Sequence, residues 1–166
     1  MEYVIAIDES VATVYQSMTS HQYWYDLAKV HLENAPTELT EFSSDDNGTE
    51  VVFTHAMDRD GLPPFVAALV PKRLAVSRAQ HFDPFDAASN SATGHYAVHV
   101  PAAPLKLGGN YVLSATDTGT DIKLSTDCKV NVPLVGRKVE DMLLNGLRTF
   151  FDAERQFTTT WIADHL

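Results

Sequence analysis

The chain has 166 residues, 45% of them hydrophobic and 20% charged, which is the make-up of an ordinary globular protein. It is expected to fold as one domain, 1–166, burying about two thirds of the surface its unfolded form exposes. A formal net charge of -10 excludes the basic surface that nucleic acid demands and disfavours anionic membrane surfaces. No stretch approaches the roughly 18 apolar residues of a membrane span. Residues 1–7 alternate in character and lack the basic start and apolar run of a signal peptide, so the expected compartment is the cytoplasm. The single cysteine, Cys128, cannot close an internal disulfide and is expected on the apolar side of a strand.

Residues 2–8 read as a first strand, with Tyr3, Ile5 and Ile7 on one face. Asp8 or Ser10 then offers an oxygen to cap a helix whose Val11, Val14, Tyr15 and Met18 recur at helical spacing. A second short helix, capped by Ser20, carries Trp24, Leu27, Ala28 and His31 in the same pattern. Pro36 ends this unit, and period-two alternation takes over. Strands are expected at 37–44, 49–57, 74–83, 93–100, 105–116 and 121–132. The first two are joined through Asn47-Gly48, read as a tight turn with positive φ. Residues 58–71 interrupt the meander with Gly61, Pro63 and Pro64 and the run Phe65 to Val70. This is read as a short helix in a long loop, either a mobile lid, with Phe65 and Leu69 at its centre, or a permanent plug.

From Val135 to the C-terminus the pattern is that of one long amphipathic helix. Val139, Met142, Leu143, Gly146, Phe150, Phe157 and Trp161 fall within roughly 60° of one line, with Leu144, Leu147, Phe151 and Ile162 as a second flank. The order is therefore strand, two short helices, six antiparallel strands and a long helix. This is an α+β protein in which a curved seven-stranded sheet takes the helix across its concave face. Such layers leave a space between them, a natural pocket for an apolar ligand.

The element order and the passage Lys129-Val130-Asn131-Val132-Pro133-Leu134-Val135-Gly136-Arg137-Lys138-Val139-Glu140-Asp141 resemble the SRPBCC superfamily, the START-like or helix-grip proteins. More narrowly, the passage resembles an actinobacterial family of unknown function with V-x-V-P-L-x-G-x-K-x-E before the last helix. The resemblance implies a deep cavity between sheet and helix that accepts sterols, phospholipids, polyketides, plant hormones or aromatic intermediates. Some such relatives are enzymes and many only bind, so fold alone settles no activity. Within the passage Pro133 ends the strand and Gly136 permits a sharp turn into the helix. Glu140 and Asp141 are expected in its first turn, against the positive end of the helix dipole.

Strand alternation and the helical wheel nominate the cavity lining: Phe53, His55, Arg78, Tyr96, Tyr111 and Leu113 from the strands, and Met142, Gly146, Phe150 and Glu154 from the helix. Gln80 shares Arg78's face. An inward Arg78 calls for a partner, which Glu154 can supply, and would serve a ligand carboxylate or phosphate. The other possibility is that strand twist turns Arg78 and Gln80 to solvent. No metal and no cofactor are expected. His95 and His99 lie about 13 Å apart along one strand, too far to share an ion, even with His81 nearby. No nucleophile motif occurs. The expected function is binding of a hydrophobic small molecule without catalysis. The alternatives are a cyclase or aromatase-like enzyme using His55, Tyr96, Tyr111 and Glu154 as acid-base groups, or a protein-interaction module with a closed cavity.

Overall fold

The computed structural model describes residues 1–32 and 36–166, apart from the side chains of His31, Leu32 and Gly61. The His31 position of the second helix's stripe thus lies outside the described side chains. Seven strands, β1 (Glu2–Ile7), β2 (Thr37–Asp45), β3 (Gly48–Asp58), β4 (Arg73–Phe82), β5 (Ser91–His99), β6 (Leu105–Ala115) and β7 (Thr120–Val130), form one antiparallel sheet. Their order is β1-β7-β6-β5-β4-β3-β2. Consecutive strands from β2 to β7 therefore pair as hairpins, and β1 joins the far edge beside β7, Ile5 opposite Ile122. Helices α1 (Val11–Met18) and α2 (His21–Leu32) carry the chain from one edge of the sheet to the other.

Ser10 is the cap of α1: its Oγ accepts the Thr13 N–H at 3.1 Å, satisfying one of the free donors of the first turn. The Trp24 indole N–H donates to the Met18 carbonyl at 2.7 Å and fixes α2 against the end of α1. In the β2–β3 hairpin the turn closes on the pair Asp45–Gly48, so Asp46 and Asn47 are its central residues, not Asn47 and Gly48 as the pattern suggested. The Asp45 carboxylate accepts the Asn47 N–H at 2.7 Å, and the positive φ, +131°, falls on Gly48. The aspartate side chain shapes this turn, which shifts the glycine to the first strand residue. Farther along β2, Thr40 is an extra residue between the pairs Leu39–Phe53 and Glu41–Val52, a bulge that bends the strand.

Helix α4 (Gly136–His165) runs 30 residues, about 45 Å at 1.5 Å per residue. Its burial falls within the expected arc, deeper toward the second flank (Phe151, Ile162) than along the middle of the stripe, where Met142, Phe150 and Phe157 are half-buried. Val139, Phe151, Thr158, Trp161 and Ile162 are buried, and Leu143, Leu147 and Glu154 half-buried. The centre of this arc lies about 70° from Val139 at 100° per residue. Gly146 falls outside it, exposed, and beyond its own stretch of helix backbone nothing lies within 4 Å of where its Cβ would stand. A stripe scored on apolar character passes over half-buried Glu154 and buried Thr158, each of which has a polar partner. The acidic residues also differ from expectation: the helix begins at Gly136, so Glu140 and Asp141 lie beyond its first turn. Glu140 Oε1 instead accepts the Val130 N–H at 2.8 Å, tying the helix to the end of β7.

The main core lies between the sheet, α1, α2 and the C-terminal half of α4. A second, smaller cluster gathers Val66, Val130 and Val139 under residues 58–71, which hold a 3-10 turn (Arg59–Gly61) and the one-turn α3 (Pro64–Ala67). Cys128 packs against this second cluster, half-buried, and burial pushes its thiol above the ordinary range.

Candidate functional site

On β4 the inward face reads Leu74, Val76, Arg78, Gln80 and Phe82, so a cation and a neighbouring amide stand in an otherwise apolar row. Arg78 is turned inward, 7% exposed, and its Nη2 donates to Glu154 Oε1 of α4 at 2.6 Å. Three aromatic rings surround the guanidinium, with centroids 4.8 Å (Phe150), 5.7 Å (Phe53) and 6.0 Å (Trp24) from Cζ. The ion pair answers the desolvation of both charges, and the rings add cation–π attraction in a water-poor setting.

Arg78, Gln80 and Glu154 border a cavity of about 60 Å³ between the sheet and the C-terminal half of α4. Tyr96, Tyr111 and Thr158 line it as well. Both tyrosine hydroxyls are already engaged across a neighbouring strand. Tyr96 stands opposite Gly109 and reaches over β6 to share a 2.6 Å hydrogen bond with Thr126 of β7. Tyr111 stands opposite Gly94 and donates to the His81 carbonyl of β4. A Cβ at Gly94 would lie 2.5 Å from the Tyr111 hydroxyl, so the absence of a side chain there is what lets the ring cross. Burial, first among the causes, raises both phenols above their ordinary range. Tyr23, which shares a 2.7 Å hydrogen bond with Thr158, is raised for the same reason. Two buried donors have no hydrogen-bond partner among the described residues: Arg78 Nε and Gln80 Nε2.

A second cavity, about 130 Å³, lies under the N-terminal half of α4 and is lined by apolar residues alone. Leu62, Val66 and Leu69 of the 58–71 segment line it, together with Met142 and Leu143 of α4. The Lys138 ammonium sits 4.6 Å from the centre of the Phe65 ring, holding this segment to the first turn of α4. The two cavities are lined by neighbouring positions. Those on β4 (Val76, Arg78), at the end of β5 (Val100 just beyond it, Val98 within it) and one turn apart on α4 (Leu143, Leu147) line the apolar and the polar chamber respectively.

Of the residues nominated from sequence, the structure thus brings Arg78, Tyr96, Tyr111 and Glu154 to the polar chamber and Met142 and Leu69 to the apolar one. Phe53 and Phe150 flank the Arg78 guanidinium and line neither chamber, and Phe65 covers the second cluster. His55 stands apart: its Nδ1 is 2.9 Å from Thr37 Oγ1 and its ring stacks on Phe53. Leu113 is wholly buried in the main core, and Gly146 faces solvent. Sequence reasoning missed Tyr23, Thr126 and Thr158. Thr126 was recoverable, since it continues the alternation of Leu124 and Cys128, whereas the Tyr23–Thr158 pair joins residues 135 apart and leaves no local signal. His81 and His95 stack at 5.1 Å between ring centroids, and among the described residues no group of three or more His, Cys, Asp or Glu is placed to hold a metal ion. No helix of the described residues is long and apolar enough to cross a membrane.

Residues 2–162 match the family described as "Protein of unknown function (DUF2505)". A protein of Mycobacterium tuberculosis (strain ATCC 25618 / H37Rv), described as uncharacterized, is 28% identical over 167 residues, covering 95% of this chain and 92% of that protein. The crystal structure of protein Ms6760 from Mycobacterium smegmatis superposes with a TM-score of 0.59 at 11% identity, over 99% of this chain and 91% of that one. Norcoclaurine synthase from Thalictrum flavum does so with a TM-score of 0.51 at 14% identity, over 99% and 86%. Likeness at these identities extends to the fold, the helix-grip arrangement of a curved sheet around a long C-terminal helix.

Proposed function

The chain belongs to the DUF2505 family, and we propose that it binds a hydrophobic small molecule, a lipid, polyketide or similar compound, between the sheet and α4 without catalysing a reaction on it. One observation carries this reading: a chamber of about 130 Å³ with no polar lining, bordered by the 58–71 segment, and a partly polar chamber of about 60 Å³ are lined by neighbouring positions of β4 and α4. An engineered cavity of about 150 Å³ lined by apolar side chains stays dry and admits benzene, so a chamber of this size and lining favours an apolar occupant over water. A longer molecule would extend from one chamber into the other, and the 58–71 segment is read as the lid through which it enters.

Two features support binding over catalysis. The Tyr96 and Tyr111 hydroxyls are bonded across the sheet and made less acidic by burial, which suits a wall better than a proton relay. The His55 ring lies outside both chambers, paired with Thr37. Residues 1–166 are read as one START-like domain acting in the cytoplasm, with the 129–141 passage as this family's mark. Native mass spectrometry of protein purified from its own host tests the function. The expected result is one apolar compound bound per chain. A chain free of any bound compound that also shows no thermal shift with a panel of lipids and aromatic compounds would favour the interaction module with a closed cavity.

A further inference from the structure

Resting on that reading, we infer that the ligand is an uncharged molecule with a carbonyl oxygen, a ketone, ester or amide on an apolar chain. Its oxygen meets Arg78 and Gln80, and its chain lies in the lidded chamber. The polar chamber has its hydrogen-bonding capacity distributed unevenly. Tyr111 spends its proton on the His81 carbonyl, and the Tyr96 and Thr126 hydroxyls share one hydrogen bond. Among the described residues the buried side-chain atoms left without a partner are both donors, Arg78 Nε and Gln80 Nε2, on neighbouring inward positions of β4. Leaving a buried donor unmet is costly, so an occupant that supplies an acceptor here gains more than one that supplies a donor or only a hydrocarbon surface.

Charge decides which acceptor. An arginine in a pocket suggests a carboxylate or phosphate, but Glu154 Oε1 already sits 2.6 Å from Arg78 Nη2. An anion against Nε would place a second negative charge on the same guanidinium, beside a carboxylate that is itself largely withdrawn from water, at 16% side-chain exposure. Arg155, the other cation bordering this chamber, is exposed and screened by solvent. The buried part of the site is electrically neutral, and a neutral acceptor fits it. Val76, Val100 and Leu143 then continue each wall from the donors into the apolar chamber, so the occupant has its oxygen at one end.

The test uses nonane, 2-nonanone and nonanoate, displacing the neutral dye N-phenyl-1-naphthylamine from the full chain at pH 8. Gln80→Leu is expected to weaken 2-nonanone about tenfold, the worth of one hydrogen bond, and to leave nonane unchanged. The double variant Arg78→Met/Glu154→Leu, which removes both charges together, is expected to do the same. If it fails to fold, Gln80→Leu still decides. In the wild type 2-nonanone is expected to bind more tightly than nonanoate. Nonanoate binding more tightly than the ketone, or Gln80→Leu changing ketone and alkane alike, would overturn the carbonyl inference and leave hydrophobic-ligand binding standing. Failure of the dye and all three compounds to bind would overturn both.

Discussion

Arg78 and Glu154 are the residues on which the interior turns. Each is tolerable inside the protein because of the other, so removing one leaves a charge buried without its counter-ion. We expect Arg78→Met and Glu154→Leu each to lower the free energy of unfolding by about 3 kcal/mol, and the double variant to recover most of that loss. Urea denaturation of the four proteins measures it, and additive losses in the double variant would show that the pair is not coupled. Asp26 poses a titration question. It accepts from Gln22 Nε2 (3.0 Å), Trp161 Nε1 (3.2 Å) and Lys29 Nζ (3.3 Å), and these bonds, Gln22's foremost, hold its carboxyl below the ordinary range. A folded-state value below the unfolded one means stability that is present in full above the ordinary carboxylate range and lost as pH falls through the folded value. Asp26→Asn should therefore lower the melting temperature at pH 7 and make little difference at the acid end. A gap between the two proteins that widens on acidification would contradict this.

Among the elements, α4 is where the pattern and the packing part company. Its buried arc is centred on side chains that include Glu154 and Thr158, and Gly146, placed by the apolar stripe at its middle, is open to solvent. Gly146→Ala should accordingly stabilise the protein by about 0.5–1 kcal/mol through helix propensity alone, with no change in ligand affinity. Met142 makes the contrast. It lines the apolar chamber, and Met142→Trp should fill that chamber and weaken an apolar ligand at least about tenfold while the melting temperature moves by only a few degrees. Dye titration and thermal melts of both variants would check the pair. Unaltered dye binding in Met142→Trp would remove the apolar chamber from the site. The 58–71 segment packs Val66 against Val130 and Val139, with Phe65 under Lys138, so its position is built from contacts on both layers.

For the molecule as a whole, occupancy of the chambers should appear as stability. A ligand at 100 times its dissociation constant adds about 2.7 kcal/mol, or about 5–10 °C in melting temperature for a chain of this size. A thermal melt with saturating 2-nonanone measures it, and no shift at a concentration that displaces the dye would mean that the ketone does not prefer the folded chain to the unfolded one, against binding in the chambers. Much of this architecture was legible in the residues themselves. Alternation placed all seven strands within a few residues, helical spacing placed α1, α2 and α4, and the inward row of β4 already contained Arg78 and Gln80. Those are properties of nearest neighbours along the chain, where a period of two or 3.6 is dictated by backbone geometry. The sequence also named Glu154 as a partner for an inward arginine. What it left open is non-local. Only tertiary packing decided that Arg78 faces inward, that the Tyr96 and Tyr111 hydroxyls are spent across the sheet over Gly109 and Gly94, that the burial of α4 leaves Gly146 in solvent, and that the interior divides into a polar and an apolar chamber. Each depends on which side chain arrives from a distant strand to satisfy a polar group or fill a gap, and no period along the chain records that.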